Sequence, residues 1–157
     1  MNENEKLINH FYTSFQQKDI AGMQACYADD ATFNDPIFNN LNSEEVKAMW
    51  AMLIEKGKDM TLTFEGITAD ANSGGATWIA TYTFSATGNK VVNVVDTAFT
   101  FKNGKILKHT DSFSFYRWAS QALGITGKLL GWTGFLKNKI RTTAVNKLQD
   151  FIKKTIV

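Results

Sequence analysis

The sequence predicts an α+β fold: three N-terminal helices packed on a curved antiparallel sheet, followed by a helical C-terminal extension. Three observations predict it. Apolar residues recur at helical spacing as far as Gly57, alternate with polar ones in the stretch after Met60, and return to helical spacing beyond Ala119. The 157 residues suffice for one domain with a sizeable core, and 44% hydrophobic with 20% charged residues is an ordinary globular balance.

Leu7, Ile8, Phe11, Tyr12 and Phe15 form one stripe of an amphipathic first helix. Asp19 is placed to cap a short second helix whose apolar side is Ile20, Met23 and Tyr27. In YADDATFNDP, Asp29 and Asp30 end that helix and solvate a turn, while Pro36 interrupts any ladder bond and fixes the strand entry. Ser43, followed by Glu44 and Glu45, starts a third helix with acids near its positive end, and Val46, Met49, Trp50 and Leu53 are its apolar stripe before Gly57 stops it.

Four long strands follow. Met60, Leu62 and Phe64 alternate with Thr61, Thr63 and Glu65, and residues 76–86 are rich in Thr and aromatics. NSGG at 72–75, ATGNK at 86–90 and FKNGK at 101–105 punctuate three hairpins, of which Asn103-Gly104 is the strongest signal. In the last segment Ile140, Ala144, Leu148, Phe151, Ile152 and Thr155 line one helical face, with Lys and Arg on much of the rest. Residues 1–118 carry a net charge of −4 and residues 119–157 one of +6, so the body and its extension differ electrostatically.

Several function classes are excluded by type of residue. One cysteine, Cys26, allows no intramolecular disulfide and no multi-Cys metal site. The chain has no Gly-rich phosphate loop, no His/Cys metal set and no Ser-His-Asp pattern, although Asp35, Asp96, Asp111 and His109 could hold a metal in principle. The basic extension has buried-type aromatics and charges on a helical face, unlike a nucleic-acid binder. No apolar run approaches the ~20 residues of a membrane span, and the acidic, polar MNENEKLINHFY start lacks a signal-peptide pattern, so a cytoplasmic location is expected.

The chemistry-bearing residues emerge from pairing. If Asn103 and Gly104 are the two loop residues, Lys102 pairs with Lys105, which carries Asp96 opposite Asp111, Ala98 opposite His109 and Val94 opposite Phe113. Asp96, His109 and Asp111 would then share one face, where His109 mediates between two carboxylates. A three-residue loop within 86–90 adds Trp78 and Tyr82 to that face; a two-residue loop puts them on the other. The opposite face of this strand, Val91, Asn93, Val95, Thr97, Phe99 and Phe101, is also largely apolar, which suggests a homodimer through the sheet.

The order of elements, YADDATFNDP, VVDTAFTFKNGKI and HTDSFSFYRW resemble the NTF2-like (cystatin-like) superfamily over roughly residues 5–118, in its ketosteroid isomerase-like and SnoaL-like polyketide cyclase branch. The resemblance implies a cone enclosing an apolar pocket, and cofactor-free acid/base chemistry on a small hydrophobic carbonyl compound. Asp35, before Pro36, matches the isomerase's general base, and Asp96 in Val94-Val95-Asp96 matches its protonated, oxyanion-donating aspartate. The isomerase's catalytic tyrosine is replaced by Phe11, with Tyr12 adjacent. Trp50 replaces a supporting tyrosine, and Tyr27 keeps a third. Asp111 with His109 instead resembles the cyclases' acid/base pair. Limonene epoxide hydrolase, another relative, has an Arg-x-Asp pair whose arginine position is Val94 here. The expected ligand-lining set is Phe11, Tyr12, Phe15, Tyr27, Trp50, Trp78 and Phe113. Residues 1–118 are read as the NTF2-like domain and 119–157 as its extension, a lid over the pocket mouth or a dimer contact. The alternative for the final helix is an interfacial position on an anionic membrane.

Overall fold

A computed structural model describes residues 1–156; Val157, the end of the 119–157 extension, lies outside the described residues. Helix α1 (Glu3–Gln16) is capped by the Asn2 side chain, and α2 (Ile20–Gln24) by Asp19, whose carboxylate accepts from the Gly22 N–H. Helix α3 (Ser43–Lys56) begins with a reciprocal capping box between Asn42 and Glu45, one residue before the expected Ser43, and ends at Gly57. Strand β1 (Tyr27–Asn34) occupies the stretch read from sequence as the end of the second helix and a turn. Tyr27 is therefore a strand residue, and Asp29 and Asp30 are exposed strand residues, Asp30 accepting from Lys102 Nζ at 2.7 Å.

Beyond the short β2 (Leu41–Asn42), four long strands follow: β3 (Thr61–Ala69), β4 (Ser73–Phe84), β5 (Asn89–Lys102) and β6 (Lys105–Ser112). The curved sheet has the order β2-β1-β6-β5-β4-β3, and its β1–β6 pair is parallel, so the sheet is mixed rather than purely antiparallel. The β5–β6 turn is the expected one, with Asn103 and Gly104 both at positive φ, 51° and 75°. Across the concave face lies α1, whose Phe11, Tyr12 and Phe15 are buried against Trp50, Trp78 and Phe99. Burial of each such ring contributes about 1.5–3 kcal/mol, which is why aromatic residues dominate the packing.

The register of β5 and β6 differs from the one the turn alone predicts. Lys102 pairs with Lys105 and Phe101 with Ile106, but Thr100 then pairs with Lys108, leaving Leu107 as a bulge. Past the bulge, Phe99 faces His109, Thr97 faces Asp111 and Asp96 faces Ser112. One extra residue reverses which β5 side chains accompany the inward side chains of β6. The strip Val91, Val95, Thr97 and Phe99, on which a dimer contact was expected, is buried inside the cone, while Val94, Asp96 and Ala98 are exposed on the outside.

The extension forms α4 (Phe115–Leu123), α5 (Ile125–Leu130) and α6 (Gly134–Ile156). Helix α6 packs along α3 through Leu148, Ala144, Phe151 and Ile152, while Leu136 and Ile140 join Trp118, Phe115 and Val91 in a second apolar cluster. Among the described residues no helix is long and apolar enough to cross a membrane.

Candidate acid/base site

Two strands bring the interior acids together. On β1, Ala31 and Phe33 point inward, and Asp35 continues that parity one residue beyond the strand end. The parallel register sets Phe33 beside His109 and Asn34 beside Thr110, so the next residues on each chain, Asp35 and Asp111, are neighbours. The charge of Asp111 raises the Asp35 carboxyl.

His109 and Asp111 are buried, at 1% and 4% exposure, in a continuous hydrogen-bond network. Asp111 Oδ1 accepts from Thr97 Oγ1 at 2.7 Å and from His109 Nε2 at 2.9 Å. Thr97 Oγ1 in turn accepts from the Tyr12 hydroxyl and from Trp78 Nε1, both at 3.0 Å. His109 Nδ1 meets the Tyr27 hydroxyl at 2.8 Å, and that oxygen accepts from Trp50 Nε1 at 2.8 Å. Because an indole N–H can only donate, the Tyr27 proton is free to go to Nδ1, which assigns the His109 proton to Nε2 and directs it at Asp111. Burial, with the charge of Asp111 adding, holds the Tyr12 hydroxyl well above its usual pKa; burial does the same for Tyr27, opposed by the Trp50 hydrogen bond. Both tyrosines stay neutral donors.

Asp111 Oδ2 has no hydrogen-bond partner among the described residues. It is also absent from the fully occluded unpartnered atoms, which are Ser43 Oγ, Thr100 Oγ1 and Ser120 Oγ. Asp35 is half-buried, and its Oδ1 accepts from the Ile37 N–H at 2.7 Å and the Phe38 N–H at 2.6 Å. Burial pushes its carboxyl up to about 7; the Phe38 N–H opposes this, the charge of Asp111 reinforces it, and Arg141 lowers it in part. Arg141, on α6, donates from Nε to the Pro36 carbonyl at 2.9 Å, tying the extension to the loop that carries Asp35.

Of the residues singled out from sequence, His109 and Asp111 are buried in one interior with Phe11, Tyr12, Phe15, Tyr27, Trp50 and Trp78, while Asp35 and Phe113 are half-buried at its edge. Asp96 does not join them. It is exposed, accepts from Thr77 Oγ1 at 2.7 Å, and sits outside because of the Leu107 bulge. Val94 is outside with it, at 51% exposure, so an Arg-x-Asp pair at these positions would face away from Asp111. Trp78 is interior, beside Val95 and Thr97 and on the face away from Asp96, the side that a two-residue loop gives, because the 84–89 connection keeps that parity. The cone's centre is filled by rings: Phe11 lies edge-on to His109, Tyr27 and Trp50 with centroids 5.6, 5.7 and 5.9 Å away. An open cleft of about 590 Å³ lies elsewhere, between α3 and α6, lined by Lys47, Ala48, Ala51, Phe151 and Lys154 among others, and contains none of these acids.

Sequence reasoning missed Thr97 and Arg141. Thr97 is a polar residue inside the apolar alternation Val95–Phe99, the same signal that singled out His109 and Asp111, assigned to the wrong face. Arg141 carried no local signal, since its partner lies on a distant loop.

Comparison with known proteins is consistent with this architecture. A family model described as the SnoaL-like domain matches residues 8–109. IdmH, a proposed polyketide cyclase from Streptomyces antibioticus, superposes with a TM-score of 0.66 at 18% identity, covering 79% of this chain and 100% of its own. A proposed polyketide cyclase from Pseudomonas putida gives 0.64 at 18% identity, covering 76% and 97%. An epoxide hydrolase from M. tuberculosis, of the LEH-like type, gives 0.63 at 16% identity, covering 82% and 96%. At these identities the likeness is one of fold. No curated protein matches the chain.

Proposed function

The chain belongs to the SnoaL-like domain family, and from that premise we propose that it is a cofactor-free acid/base enzyme, an isomerase or aldol-type cyclase, acting on a small hydrophobic carbonyl compound. The observation that carries the reading is that Asp35 and Asp111 each follow the last parallel β1–β6 pair, Asn34 with Thr110, and that the charge of Asp111 bears on Asp35. Asp35 has a pKa of about 7, near the optimum for moving a proton at neutral pH. Its Oδ1 is held by two backbone N–H groups, so Oδ2 takes the proton next to the substrate carbonyl. Asp111, whose Oδ1 accepts from His109 and Thr97, is the second acid/base group of the site, and its charge helps keep the proton affinity of Asp35 high. Tyr27 and Trp50 are positioning residues that hold His109 in its tautomer.

The substrate enters from the side of Asp35, Ile37 and Phe113, where side chains are half-buried, and the 119–157 extension acts as the lid there. The ring-filled centre favours a second reading, a protein that binds an apolar ligand at this mouth without turnover. Assaying wild type, Asp35→Asn and Asp111→Asn on a panel of enones, β-diketones and epoxides separates the two. The enzyme reading expects turnover of a carbonyl compound that falls by about 10²–10⁴-fold in either variant. Binding of an apolar ligand with no turnover of any compound would establish the second.

A further inference from the structure

The corner formed by α5 and the start of α6 exposes an unusual set of side chains. Ile125, Leu129, Trp132 and Phe135 are 75%, 65%, 77% and 75% exposed, and Leu130 and Tyr116 are partly so. Scattered exposed apolar residues are ordinary; four large ones along eleven consecutive residues, including a tryptophan, are a patch. The scaffold beneath is tightly built. Gly127 lies against the α4 backbone, where a Cβ would collide with the Ala119 carbonyl, and the Tyr116 hydroxyl donates to the Lys128 carbonyl at 2.9 Å. Trp132 Nε1 donates to the Leu129 carbonyl at 2.9 Å, which fixes the indole at the end of α5. The apolar groups are thus presented by a packed platform whose inner side is already occupied by Ala119, Ala122 and Leu136.

The charge around the patch selects its partner. Between Asp111 and Asp150 the chain has no acidic residue, and the segment that carries the patch holds Arg117, Lys128, Lys137 and Lys139. Apposing two such surfaces in a dimer would set like charges against each other without a counter-charge. An anionic bilayer supplies that counter-charge and an apolar layer at a depth suited to Trp, Phe and Leu side chains. We propose that the α5–α6 corner is a peripheral membrane-docking site, in which Ile125, Leu129, Trp132 and Phe135 enter the interface and the flanking lysines face acidic headgroups. This site lies on the outward side of the extension, whereas Leu136, Ile140 and Arg141 face the cone, so docking is independent of the acid/base reading.

The test is co-sedimentation of the full chain with phosphatidylcholine vesicles with and without phosphatidylglycerol, at low and high salt. Pelleting is expected with the anionic vesicles and weakened by salt. Combining Leu129→Ser, Trp132→Ser and Phe135→Ser should reduce partitioning on the order of a hundredfold, and Lys128→Glu with Lys137→Glu by more than about tenfold. These side chains are exposed, so circular dichroism of the variants should match wild type. Trp132 is the exposed tryptophan, Trp50, Trp78 and Trp118 being buried, so vesicles carrying brominated acyl chains should quench its emission. In Trp132→Phe that quenching should vanish while pelleting persists. Absence of pelleting with anionic vesicles overturns the proposal, as does equal pelleting by wild type and the triple-serine variant. A concentration-dependent dimer abolished by the triple-serine variant, without vesicle binding, would assign the patch to a second copy instead.

Discussion

Strand β5 carries two strips of side chains that differ in almost everything but their position along the chain. The inner strip, Val95, Thr97 and Phe99, is buried and joined by Thr97 to Asp111, Tyr12 and Trp78, and through Asp111 to His109. The outer strip, Val94, Asp96 and Ala98, is exposed, and its aspartate makes one side-chain hydrogen bond, from Thr77. Two aspartates that the turn alone would set face to face, Asp96 and Asp111, are thereby assigned to water and to the interior. The difference shows that the chemistry of a carboxylate here is decided by strand parity, and parity by one bulged residue, Leu107.

The strongest way to break that comparison is to remove the bulge. Deleting Leu107 forces either the inward or the outward set of β6 into the wrong environment, and the protein should lose more than about 5 kcal/mol or fail to fold. A deletion variant with native near-ultraviolet circular dichroism and an unchanged urea midpoint would contradict the account. Next in size is the contrast between the two acids. Asp111→Ala leaves the His109 Nε2–H and the Thr97 hydroxyl without an acceptor and should cost about 3–5 kcal/mol. Asp96→Ala should stay within about 0.5 kcal/mol of wild type. Urea denaturation of the two variants side by side checks this, and equal losses would erase the distinction between the strips.

A third prediction concerns pH. The Asp35 carboxyl is raised from 3.8 to about 7, so between those values the native state holds a proton that the unfolded chain has released. Stability from this group therefore falls as pH rises through that window and levels off above about 7. Asp35→Asn keeps an acceptor for the Ile37 and Phe38 N–H groups but does not titrate. Its stability relative to wild type should thus rise by about 2–4 kcal/mol from pH 4 to pH 8, measured as urea midpoints across pH. A flat difference would contradict the burial of Asp35. A smaller loss is expected at Arg141, where Arg141→Gln removes the bond to the Pro36 carbonyl and should cost about 1 kcal/mol, read as a thermal midpoint a few degrees lower.

Features written in short-range pattern were legible from sequence. The α1 stripe, the Asp19 cap, the Gly57 stop and the Asn103-Gly104 turn each depend on residues a few positions apart. The His109–Asp111 pair stood out as polar groups on an otherwise apolar strand, whereas Asp35 was singled out through the resemblance of its place before Pro36 to the isomerases' base. The illegible parts are those that depend on distant chain. Nothing local marks Leu107 as bulged, because a Leu between Ile106 and Lys108 satisfies either parity. The parallel pairing of β1 with β6 joins the two ends of the domain, and YADDATFN reads as a turn until that partner is known. Arg141 reaches Pro36 only once α6 is packed back onto the domain.

The central claim is that Asp35 and Asp111 share one interior while Asp96 lies outside it. Carbon-detected NMR titration of the Asp35 carboxyl in wild type, Asp111→Asn and Asp96→Asn tests this without any substrate. The account predicts an Asp35 inflection near pH 7 that moves down in Asp111→Asn, because a neighbouring negative charge has been removed, and stays put in Asp96→Asn. An inflection in the ordinary carboxylate range, or one that responds to Asp96→Asn and not to Asp111→Asn, would contradict it.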